Sequence, residues 1–147
     1  MPSDPGTFTD DYLLYLLAQT SAAASEAFHT ELEAEGVPIT TWRILGSLYP
    51  DACLNVGTLA RKCLMKQPTL TRTLDRLVDQ GIVERRHADG DRRGVLVALT
   101  QAGQALARDK ITKAKAHEAR ILGDYSDEDV ADLKRRLRQL LVRARQE

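Results

Sequence analysis

Residues 55–99 read NVGTLARKCLMKQPTLTRTLDRLVDQGIVERRHADGDRRGVLVAL, and the spacing of their apolar side chains changes along the way. Asn55 is a helix-capping residue type. After it Val56, Leu59, Ala60 and Cys63 fall at i, i+3, i+4 and i+7, one face of a helix. A break at Met65-Lys66 follows. Pro68 suits the first turn of another helix, whose apolar face is Leu70, Leu74, Leu77 and Val78 and which Gly81 ends. Ile82 to Arg85 reads as a short strand, and Val95, Val97 and Leu99 alternate with Leu96 and Ala98 as a second. Between them His87 to Gly94, with two glycines, two aspartates and two arginines, reads as a turn. Two short helices with one apolar face each thus flank a tight turn, and a β-hairpin follows at once.

Helices are expected on both sides of this stretch. Upstream, Thr9 is a candidate N-cap for a long helix over 10–35, with Leu13, Leu16, Leu17, Ala24, Phe28 and Leu32 at helical spacing and Gly36 and Pro38 as its end. Thr40 can cap the next helix, lined by Trp42, Leu45 and Leu48 and closed by Pro50. Downstream, Thr100 can cap a helix to about Leu122, Gly123-Asp124 breaks it, and Ser126 with Asp129 begins a last helix carrying Val130, Leu133, Leu137, Leu140 and Leu141. The predicted fold is mainly α with a small β-hairpin: a winged helix-turn-helix between N- and C-terminal dimerisation helices. It is read as a single domain over 1–147, with dimerisation helices at 10–35 and 101–147, a DNA-binding lobe at 38–100 and the wing at 82–100. One chain has no other surface on which to bury the apolar stripes of its first and last helices, which predicts a homodimer.

The arrangement has a physical purpose. A major groove about 12 Å wide admits one α-helix; the first helix of the pair crosses the backbone and sets the angle of the second, and the hairpin can reach the minor groove, where cations are attracted. With Leu70, Leu74 and Leu77 turned inward, 100° per residue puts Pro68, Thr69, Arg72 and Arg76 on the opposite side and Gln67 and Thr71 on its flank. These are amide, hydroxyl and guanidinium groups that bond base edges and phosphates. Two such helices a helical turn of DNA apart would read a pseudo-palindromic operator.

A formal net charge of zero argues against a nucleic-acid partner until its distribution is read. Residues 1–60 hold eight acidic residues and one basic residue, Arg43; residues 61–93 hold nine basic and five acidic; residues 94–147 hold eleven basic and eight acidic. The positive charge is concentrated in the middle and the end, as in a protein that turns one face to phosphate. No apolar run approaches the roughly 18 residues that span a bilayer, and Asp10 and Asp11 stand where a secretory signal would be basic; the expected location is the cytoplasm, away from membrane. Two cysteines are too few for a disulfide scaffold, and no Cys/His spacing suits zinc. No nucleophile elbow, phosphate-cradling Gly-rich loop or HExxH is present, so neither an enzyme nor a cofactor is expected.

Over Thr71–Arg85 and over Asp91-Arg92-Arg93-Gly94-Val95-Leu96-Val97-Ala98-Leu99-Thr100-Gln101-Ala102-Gly103 the chain closely resembles the MarR family of transcriptional regulators. The second segment matches the family's wing pattern: Asp-x-Arg, an apolar strand, then Leu-Thr-x-x-Gly. The resemblance runs from about residue 10 to the end. It implies an obligate homodimer built from the first, fifth and sixth helices, Arg93 in the minor groove and Asp91 supporting the wing; Arg92, next to Arg93 in the wing, is a further expected DNA contact. Lys66-Gln67, where the family often has Ser, is a departure that bears on base preference.

Many members of that family bind a small aromatic acid or its thioester between the dimer helices and the DNA-binding lobe. By this resemblance the expected function is a repressor released from double-stranded DNA by such a ligand. The candidate contacts are His29, Trp42 and Arg43, set against plainer readings in which Trp42 is core and Arg43 pairs with an acid. The alternatives are a regulator without an effector and one controlled by cysteine oxidation. For the latter, Cys63 reads as a core residue and Cys53, after Pro50-Asp51, as the more exposed thiol.

Overall fold

The computed structural model describes residues 6–87 and 94–147. Its elements are α1 (Phe8–Asp11), α2 (Leu13–Ala34), α3 (Ile39–Leu48), β1 (Leu54–Asn55), α4 (Val56–Lys62), α5 (Gln67–Asp79), β2 (Val83–His87), β3 (Val95–Leu99), α6 (Gln101–Leu122) and α7 (Asp127–Ala144). The chain falls into two compact units, one running to Ala114 and the other from Lys115 to Glu147. No helix among the described residues is long and apolar enough to cross a membrane.

In the first unit, α3, α4 and α5 pack around the fully buried Ile44, Leu45, Leu48, Leu59, Cys63, Leu70 and Leu74, largely the faces expected from the sequence. A three-stranded antiparallel sheet in the order β1-β3-β2 closes this core with Val83, Val97 and Leu99. Leu54 pairs with Val97 across one edge of β3, and Arg85 pairs with Val97 across the other. A second, smaller cluster joins Phe28, Leu32 and Val37 to Trp42 and Ala114, with Phe28 and Trp42 edge to face at 5.3 Å. The N-terminal half of α2 is different: Leu13, Leu14, Tyr15 and Leu16 are exposed. In the second unit, Ser126 Oγ accepts the Asp129 N–H at 3.1 Å to start α7, and Lys134 pairs with Glu118 at 2.5 Å. There Leu133, Leu137 and Leu141 are exposed.

Several expectations need correction. The long first helix is interrupted at Tyr12, whose backbone is extended, and its first turn begins after Thr7 rather than Thr9. The Asp10 carboxylate accepts from the Thr7 N–H (2.6 Å) and hydroxyl (2.9 Å) and so anchors the separate turn. Thr40 caps nothing, because α3 already begins at Ile39 after Pro38. The proline's fixed φ of −63° and ψ of 153° supply the extended entry that a capping side chain otherwise stabilises. The first strand runs Val83–His87 rather than Ile82–Arg85, since the Ile82 N–H is taken by Leu77 O at 2.9 Å in closing α5. β1 was not anticipated, a two-residue strand being too short to show a period.

Candidate nucleic-acid interface

The helix pair is built from local signals. Asn55 Oδ1 accepts the Thr58 N–H at 2.8 Å and starts α4. Helix α5 starts with no side chain capping it and with Pro68 in its first turn. The positive end of its backbone dipole therefore has no side-chain acceptor at the N-cap. Leu70, Leu74 and Leu77 are buried, and Gln67, Pro68, Thr69, Thr71 and Arg72 are all exposed. The five sequence-predicted residues therefore share the N-terminal, solvent-facing part of one helix. Gly57 of α4 leaves room beside the Gln67 amide: a Cβ there would lie 3.4 Å from Nε2.

Arg76, grouped with these residues in the sequence reading, is differently engaged. Its Nη2 donates to the hydroxyl of buried Thr41 at 3.2 Å and so links α5 to α3. One residue earlier, Asp75 receives Arg85 of β2 at 2.5 Å. The C-terminal half of α5 is thus tied to the scaffold on two sides. Arg72 forms none of the ion pairs among the described residues.

The hairpin leaves α5 through a turn fixed by Thr100. Its hydroxyl donates to Gly81 O (2.5 Å) and Ile82 O (3.1 Å) and accepts the Gly103 N–H (3.0 Å), capping α6 and clamping the end of β3 to the end of α5. Gly103 is required by the same contact, because a Cβ there would sit 2.0 Å from Ile82 O. The Thr-x-x-Gly spacing is therefore one device, a cap with a close backbone approach. The sequence pattern singled it out, although its geometry could not be read there. Arg86 pairs with Glu84 near the base of β2. Asp91, Arg92 and Arg93 lie outside the described residues.

The three candidate ligand contacts do not all converge. His29 and Arg43 line an open groove of about 950 Å³ on α2 and α3, together with Ala22, Glu26, Glu33 and Ile39. Trp42 is not among its lining residues and packs on Phe28 instead. Arg43 forms no ion pair among the described residues. Of the cysteines, Cys63 is buried, with its Sγ 3.6 Å from Ser47 Oγ; burial pushes its thiol pKa up, and the Ser47 hydroxyl, able to bond the thiolate, offsets part of that. Cys53 is half-buried next to the Arg86 guanidinium.

The profile of the MarR family matches residues 37–95, the segment from the start of α3 to the start of β3. A MarR family transcriptional regulator from Silicibacter pomeroyi DSS-3 is 39% identical in sequence, with a TM-score of 0.80, covering 92% of this chain and 97% of that one. The homoprotocatechuate degradative operon repressor of Escherichia coli is 27% identical over 132 residues, 90% of this chain and 89% of its own length. The structure of NadR in complex with 4-hydroxyphenylacetate aligns with a TM-score of 0.76 and 26% identity over 95% of this chain and 97% of that one. Family profile, whole-length relatives and the helix-turn-helix geometry agree, and the chain belongs to the MarR family of winged-helix, DNA-binding transcriptional regulators.

Proposed function

We propose that the chain acts as a homodimeric repressor on a pseudo-palindromic double-stranded operator and leaves it when a small aromatic carboxylate, or a thioester of one, binds. The observation that carries the DNA part is the exposed N-terminal half of α5, where Gln67, Pro68, Thr69, Thr71 and Arg72 surround an uncapped helix start. In this reading that half enters the major groove, Arg76 holds the helix at its angle through Thr41, and Arg92 and Arg93 follow into the minor groove with Asp91 as support. The exposed apolar side chains of α2 and α7 are the surfaces the dimer covers, so 10–35 and 101–147 serve dimerisation and 38–100 the DNA. The test is binding to the duplex that flanks the chain's own coding region. Arg93→Ala is expected to weaken it by about 1–3 kcal/mol per half-site; unchanged affinity at near-physiological salt removes the wing from the mechanism.

The effector reading rests on His29 and Arg43 in one groove and on the relatives, one named for homoprotocatechuate degradation and one crystallised with 4-hydroxyphenylacetate. Arg43 would pair with the carboxylate. Release needs a differential affinity between two arrangements of the dimer, and a hundredfold difference corresponds to about 2.7 kcal/mol. A thermal-shift screen of aromatic acids and their coenzyme A thioesters, then gel shift on the operator, tests it. If no compound both stabilises the protein and releases DNA, the alternatives are a regulator without an effector and control by cysteine oxidation. Peroxide-induced release that disappears in a Cys53→Ser, Cys63→Ser double mutant selects the latter.

A further inference from the structure

Among the described residues, three helices end in the same pair of backbone hydrogen bonds. After α2, the Gly36 N–H donates to Glu33 O (3.0 Å) and the Val37 N–H to Leu32 O (2.9 Å), with φ of 80° at Gly36. After α5, the Gly81 N–H donates to Val78 O and the Ile82 N–H to Leu77 O, both at 2.9 Å, with φ of 72° at Gly81. After α4, the Leu64 N–H donates to Arg61 O (3.3 Å) and the Met65 N–H to Ala60 O (3.0 Å), and Leu64 has φ of 56°. Glycine suits the left-handed position of this turn because it has no Cβ to crowd the backbone. Leucine is held there against its preference, and burial does not offset the strain. At 78% its side chain is more exposed than any other large hydrophobic among the described residues.

An exposed residue kept in a strained conformation points to a use for its side chain. The surrounding charge indicates the partner. From Val56 to Leu74 the chain has no acidic residue. Arg61, Lys62, Lys66 and Arg72 are exposed there, and none joins an ion pair among the described residues. An apolar side chain in the middle of that stretch, three residues before α5 begins, faces a polyanion with an apolar feature of its own. We infer that Leu64 is a specificity contact: in the DNA-binding reading given above, on which this rests, the turn sets it against a thymine methyl group in each half-site. Thymine is the base with a methyl group on its major-groove edge. An aliphatic side chain can offer that edge only packing. The cations supply a hold that is indifferent to sequence, and Leu64 adds a preference.

The test compares full-length wild type, Leu64→Gly and Leu64→Asn on the operator duplex and on a scrambled duplex by fluorescence anisotropy, with thermal melts alongside. Leu64→Gly is expected to melt about 3 °C higher through relief of the strain. It should bind the scrambled duplex as the wild type does and the operator about tenfold more weakly, and Leu64→Asn, which also tolerates this backbone, should show the same loss on the operator. Deoxyuridine in place of each operator thymine in turn should reveal one position per half-site at which the missing methyl weakens wild type about fourfold and leaves Leu64→Gly unaffected. Equal operator affinity for Leu64→Gly and wild type, or a loss that no deoxyuridine position reproduces, overturns the inference. Wild-type protein that binds neither duplex is a different result and overturns the DNA-binding reading itself.

Discussion

At the scale of single residues, side chains on one exposed helix face have unequal tasks. Arg72 and Arg76 both lie on the solvent side of α5, but Arg76 holds the hydroxyl of buried Thr41 and Arg72 forms no ion pair among the described residues. Arg72→Ala should therefore weaken operator binding with little change in melting temperature. Arg76→Ala should lower stability by about 1 kcal/mol, the net value of a typical hydrogen bond, and Thr41→Val should reproduce that loss. Melts and anisotropy on all three variants check this. An Arg76→Ala protein as stable as wild type would show that the Thr41 contact is idle. Gly103 is the other residue whose role is local: a Cβ would approach Ile82 O to 2.0 Å. Gly103→Ala is expected to cost about 3 kcal/mol through overpacking, a fall of roughly 10 °C in melting temperature.

Between elements, the end of α2 is fastened to α6 by charge. Glu35 pairs with both Lys110 and Lys113, and Lys110 is nearly covered. Lys110 first, then Lys113, hold the Glu35 carboxyl below its ordinary value of 4.5, and Glu35 in turn raises the pKa of Lys110. A carboxylate with a lower pKa folded than unfolded contributes stability that is full above the unfolded value and is lost as the pH falls through the folded one. Glu35→Gln should accordingly melt below wild type at about pH 7, and the gap should close as the pH falls below about 4.5. Melts of the two proteins across that range decide; a gap that persists in acid means that shape rather than charge holds α2 to α6.

For the whole molecule, zero net charge is an average over an acidic N-terminal region and a basic remainder. Salt should therefore act through the local field at the helix-turn-helix. If the dimer neutralises about six phosphates, operator affinity falls about a thousandfold between roughly 50 and 200 mM salt, and a flat salt response would exclude the assigned face. Exposed Leu133, Leu137 and Leu141 on α7, with Leu13 and Leu16 on α2, lead to the expectation of a stable dimer. Sedimentation equilibrium at micromolar concentration should find it, and Leu137→Glu should weaken the dimer and its DNA binding together.

The sequence alone determined the order of the main helices and the hairpin, the inward faces of α4 and α5 and the exposed start of α5. These follow from the 3.6-residue period, the caps at Asn55, Thr100 and Ser126, and glycine at the helix ends, all of which act within a few residues. It also singled out Thr100 and Gly103 as a pattern. Only the tertiary structure decided what depends on neighbours distant in the chain. It set β1 on the edge of β3, bonded Arg76 to Thr41 thirty-five residues away, and moved Trp42 out of the His29 and Arg43 groove onto Phe28. Leu64 belongs to both scales. Its position directly after Cys63, the last residue of the α4 apolar face, is visible in the sequence, but its left-handed backbone goes with the turn closed by the Leu64 N–H on Arg61 O and the Met65 N–H on Ala60 O, and its exposure depends on which surfaces the folded chain covers.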